Sequence, residues 1–89
     1  MPDMHVLVID NDEQQRQIFK LLLDFIDYGA TVAPYGQWTS DGLSPQAVIV
    51  SEAKEDAETL NEIKAVKSQF DESMPVLLYR SDNEKRELH

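Results

Sequence analysis

The chain has 89 residues, 42% of them hydrophobic and 28% charged, the make-up of one soluble globular domain. Its net charge of -9 argues against direct contact with nucleic acid or an anionic membrane, and the lack of cysteine excludes disulfides, thiolate catalysis and Cys-ligated zinc. No apolar run approaches the ~20 residues of a membrane span and no signal peptide precedes the first strand, so a cytoplasmic domain is expected.

The first element is the richest. Val6 to Ile9 is an uninterrupted apolar run that ends in Asp10, Asn11 and Asp12. Such a run predicts a strand buried on both faces, with its acids at the carboxyl edge of a sheet, where open α/β folds place their sites. Asp12 is the predicted N-cap of a helix with Glu13, Gln14 and Gln15 in its first turn. Ile18, Leu21, Leu22, Phe25 and Ile26 form one stripe at helical spacing, read as core, and Gly29 is placed as the C-cap.

Ala30 to Ala33 predicts a short strand stopped by Pro34. From Tyr35 to Pro45 the chain is broken by Gly36 and Gly42, with one turn at most around Trp38 to Leu43. Tyr35 and Trp38 read as packing over a core edge. Ala47 to Val50 predicts another buried strand, and Glu55 to Phe70 a second helix with Ala57, Leu60, Ile63, Val66 and Phe70 inward. After Ser73-Met74-Pro75 comes a last strand, Val76 to Tyr79, and then the charged stretch from Arg80 to His89. His5 and His89, at a strand edge and a terminus, are given no catalytic role.

Strands alternating with helices imply an α/β fold, a parallel sheet flanked by helices. About four strands are present and the last strand–helix units are missing, so one face of the final strand should lack cover.

Val-Leu-Val-Ile-Asp-Asn-Asp at 6–12, Ala-Val-Ile-Val at 47–50 and Met-Pro-Val-Leu-Leu at 74–78 together resemble the receiver domain of response regulators, a flavodoxin-like (CheY-like) fold. The resemblance covers nearly all of residues 1–89 but only about two-thirds of a whole receiver, so a truncated receiver-like domain is expected. Receivers phosphorylate an aspartate after the third strand, using two acids after the first strand to hold Mg²⁺. Carried onto this chain, the first acid is Asp10 and the second falls on Asn11, with Asp12 beyond. The acceptor position falls on Ser51, and the Thr/Ser position on Arg80 with Ser81 next to it.

These departures imply a lapsed site. A serine hydroxyl lacks the carboxylate's ability to form an acyl phosphate and needs a general base. Asn11 and Ser51 leave about one formal negative ligand, so no cofactor is expected beyond a weak Mg²⁺ site at Asp10 and Asp12. Arg80 is either a solvated charge or a guanidinium directed at Asp10, and Glu52 a loop acid or a fixed negative charge imitating phosphate. For Asp10 and Asp12 the plain alternative is helix capping.

Among lapsed receivers, the chain is most similar to the N-terminal domain of sigma-N-dependent flagellar master transcriptional regulators, which join it to an ATPase module. The expected function is a phosphorylation-independent regulatory or dimerisation module, not an enzyme, with protein partners, including a homodimer through the fourth-strand edge. One alternative is a working receiver whose acceptor is Asp10 or Asp12. Another is a flavin- or nucleotide-binding enzyme, disfavoured by the acidic loop and the absence of a Gly-rich turn.

Overall fold

The computed structural model describes residues 4–39 and 41–80. The elements are β1 (His5–Ile9), α1 (Glu13–Phe25), β2 (Gly29–Ala33), β3 (Ala47–Ser51), α2 (Asp56–Gln69) and β4 (Val76–Tyr79). All four strands are parallel, in the order β2-β1-β3-β4. This is the α/β arrangement that the alternating pattern predicts, an incomplete flavodoxin-like sheet between two helices.

Strand register decides which side chains share a face. Leu7 is level with Val48, which is level with Val76, and Ile9 is level with Val50. Leu7, Ile9, Val48 and Val50 are fully buried beneath Val66 of α2, with Ile63, Phe70, Trp38 and Val76 packed around them. On the opposite face Val6 and Val8 are buried, and Phe19 of α1 meets Tyr79 edge to face with ring centroids 5.1 Å apart. From β1 the chain builds in opposite directions toward β2 and β4. With crossovers of constant hand, α1 and α2 must then lie on opposite faces.

Three expectations need correcting. The stripe on α1 is not core: Ile18 is 47% exposed, Leu21 69%, Leu22 58%, Phe25 89% and Ile26 54%. The helix is anchored by its other flank. Arg16 Nη1 donates to the Asp10 carbonyl at 2.7 Å, and Lys20 Nζ to the Ala30 carbonyl at 3.4 Å. Phe19 and Leu23 therefore lie half-buried, while the apolar stripe, roughly 140° wide at 100° per residue, turns outward.

Gly29 does not cap α1. The helix ends at Phe25 with Ile26 as its C-cap, Asp27 takes the left-handed conformation at φ 65°, and Gly29 already begins β2. Its small size serves a close approach, because a Cβ there would stand 2.6 Å from His5 Nδ1. In α2 the buried residues are Thr59, Glu62 and Val66, whereas Ala57 and Leu60 are exposed. Two polar side chains take inward positions because each has a backbone partner there: Thr59 Oγ1 accepts from Ala53 N and Glu62 from Gly36 N, both at 2.9 Å.

The broken segment contains no helix among its described residues. It turns at Tyr35–Gly36 and again at Asp41–Gly42, with both glycines at positive φ. Trp38 does pack over the core edge, stacked on Phe70 at 5.7 Å, and Glu62 accepts its indole N–H.

Candidate functional site

Paired register brings the ends of β1 and β3 side by side, since Ile9 is level with Val50. Asp10 and Ser51 thereby emerge at the carboxyl edge where strand order reverses, the position at which open α/β sheets form a crevice. An open cleft of about 370 Å³ lies there, lined by Asp10, Asn11, Asp12, Gln15, Ser51, Glu52, Ala53, Lys54 and Glu58. Five residues singled out in the sequence, Asp10, Asn11, Asp12, Ser51 and Glu52, therefore do converge. Lys54 is the one basic side chain lining it, against four acids.

Asp12 caps α1 as expected, accepting Gln14 N at 2.9 Å. Asp10 is 4% exposed, and its Oδ1 accepts Asp12 N at 2.9 Å, fixing the loop. Its Oδ2 is buried without a hydrogen-bond partner. Asn11 Oδ1 accepts the backbone N–H of Tyr35 at 2.9 Å. Tyr35 in turn donates its hydroxyl to the Ser51 carbonyl. Burial pushes the Tyr35 phenol above its ordinary pKa, a Thr59 hydrogen bond opposes this, and the charges of Glu62, Asp10 and Glu58 add to it.

Arg80 does not reach toward Asp10. Its Nε lies 2.8 Å from Glu52 Oε1 and its Nη2 3.3 Å from Oε2, a two-pronged pair at the protein surface. Glu52 is thus already matched by a cation, which leaves little free charge to imitate a phosphoryl group. Ser81 and His89 lie outside the described residues. The cleft residues that sequence reasoning missed are Gln15, Lys54 and Glu58, together with Tyr35 and Thr59 behind it. None carries a motif; only the closed topology brings them to this edge.

Magnesium demands near-ideal octahedral oxygen coordination. Asp10 Oδ1, Asp12 Oδ1 and Asn11 Oδ1 each already accept a backbone N–H, and the free oxygen of Asp10 is buried. Among the described residues no group of three or more His, Cys, Asp or Glu converges as a metal site. With one of the two acids buried and both already bonded to backbone N–H groups, the loop is poorly arranged for the ion, and no step through it follows.

Fold and cleft together define an open parallel α/β domain with an acidic crevice at its strand-order reversal. A sequence model for the flagellar regulatory protein FleQ matches residues 5–89, and the chain belongs to that family as a flagellar regulatory domain. Neither the curated proteins nor the solved structures compared with the chain gave a match. No helix among the described residues is long and apolar enough to cross a membrane.

Proposed function

We propose that the chain is a receiver-like regulatory module that acts without phosphorylation, through protein contacts and not as an enzyme, in the cytoplasm. The supporting observation is the cleft itself. On the resemblance, Ser51 takes the place of a receiver's acceptor; it lines the cleft, and the Asn11 side chain accepts the Tyr35 backbone N–H. Seryl transfer would need a base positioned on the Ser51 hydroxyl. The test is NMR of the chain titrated with Mg²⁺ and beryllofluoride. Amide shifts at residues 10–12 and 51–53 should stay unchanged, and large shifts there would sink the reading.

The same reading includes a homodimer. Among the described residues β4 is an outer strand, with Leu77 58% and Leu78 51% exposed on its two faces. An uncovered edge strand offers backbone groups to a second chain. Light scattering should give a dimer, and a clean monomer across a wide concentration range would refute this part.

A further inference from the structure

Asp41 and Gly42 form the second turn of the segment between β2 and β3, and they are a reactive pair. Of the three glycines only Gly42 follows an acid; Gly29 and Gly36 each follow a tyrosine. Both Asp41 and Gly42 are exposed. Gly42 stands at φ 68°, and a Cβ placed on it would meet nothing within 4 Å. Its amide nitrogen is therefore open on the flank where any other residue carries a side chain, and glycine passes readily between conformations of either sign of φ. Among the described residues nothing accepts the Gly42 N–H and nothing holds the Asp41 carboxylate. Asp41 donates its own N–H to Thr39 Oγ1 at 3.1 Å, which leaves rotation about its Cα–Cβ and Cα–C bonds free.

This arrangement suits an intramolecular attack, favoured because the reacting groups sit on adjacent residues. The Gly42 nitrogen bonds to Asp41 Cγ as the Cγ–OH bond of the protonated carboxyl breaks. The hydroxyl and the amide proton leave as water, and a cyclic imide remains. Solvent water then opens the ring. Addition at Cγ breaks the new N–Cγ bond and returns aspartate. Addition at the main-chain carbonyl breaks the original peptide bond and gives isoaspartate, with the backbone running through Cβ and Cγ and the α-carboxylate free. The mass is unchanged, and the backbone is one methylene longer.

Other aspartates are held where this cannot occur. Asp24 lies within α1, where the next N–H belongs to the helix ladder. Asp27 precedes Tyr28, whose N–H donates to the Leu23 carbonyl at 2.8 Å. Asp41, by contrast, stands between Trp38 and Leu43, both packed against the core. A longer backbone between them disturbs the stack of Trp38 on Phe70. We propose that Asp41 of the folded chain isomerises spontaneously to isoaspartate, and that the change releases Trp38 from the core edge.

The test ages the 89-residue chain at neutral pH and maps it with a protease that cuts before aspartate but not before isoaspartate. A missed cut before Asp41, at unchanged mass, should accumulate, while the cuts before Asp24 and Asp27 stay complete. The folded chain should react within about tenfold of its rate in urea, because a reaction that waited for global unfolding would be slower by about a thousandfold or more. Emission from Trp38, the sole tryptophan, should shift in step with the missed cut. In Asp41→Glu, which keeps the charge but closes its larger ring slowly, emission should stay constant, with circular dichroism as the check on folding. Complete cutting before Asp41 after ageing overturns the proposal, as does isomerisation confined to urea or spread equally over Asp24 and Asp27. Emission that stays constant as isoaspartate accumulates, or that drifts equally in Asp41→Glu, overturns the release of Trp38.

Discussion

The Oδ1 of Asn11 accepts the backbone N–H of Tyr35 at 2.9 Å, tying the loop after β1 to the start of the segment after β2. An aspartate could accept the same bond, so the contact itself does not require the amide. Asn11→Ala should cost about 1 kcal/mol, and Asn11→Asp much less, measured by urea unfolding. An equal loss in both would show that the acceptor oxygen is irrelevant.

Glu62 is 9% exposed and accepts from Gly36 N at 2.9 Å and from the Trp38 indole. Glu62→Ala leaves both donors without this acceptor and should cost about 2 kcal/mol or more. Glu62→Gln keeps an oxygen in place and should recover most of that. Trp38 fluorescence reports the release directly. An unchanged spectrum in Glu62→Ala would contradict this role.

How legible this was in the sequence varied by element. Val6 to Ile9 and Ala47 to Val50 announce themselves because parallel strands buried on both faces need unbroken apolar runs. The acids after β1 and the serine at the end of β3 follow from topology, and both do line the cleft. The stripe on α1 misled because periodicity shows which residues share a face, not whether anything covers it. Thr59 and Glu62 could not be foreseen as buried. Their partners, Ala53 and Gly36, meet them only once the chain has closed.

Tyr35 gives the chain an alkaline signature. Its phenol is held above the ordinary 10.0, chiefly by burial. Below pH about 10 both folded and unfolded states keep the proton, and the contribution is fully present. As pH rises past the unfolded value toward the folded one, the unfolded chain ionises first and stability falls. Urea midpoints between pH 9 and 11, in about half-unit steps, should therefore decline more steeply for the native chain than for Tyr35→Phe. Identical slopes would rule out the effect.

Gly29 and His5 form a steric pair. A methyl at 29 would stand 2.6 Å from His5 Nδ1, and His5 Nε2 is 2.9 Å from Thr31 Oγ1, which limits how the ring can yield. Gly29→Ala should destabilise the native chain but cost far less in a His5→Ala background. The double-mutant cycle should give a coupling of about 1 kcal/mol. Additive costs would mean that the ring moves freely.

Intact-mass spectrometry after incubation with acetyl phosphate and Mg²⁺ reads most directly whether this cleft has stopped accepting phosphate. The native chain should keep its unmodified mass. A phosphoryl adduct that disappears in Ser51→Ala or in Asp10→Asn would contradict the proposed phosphate-independent role and identify the residue that carries it.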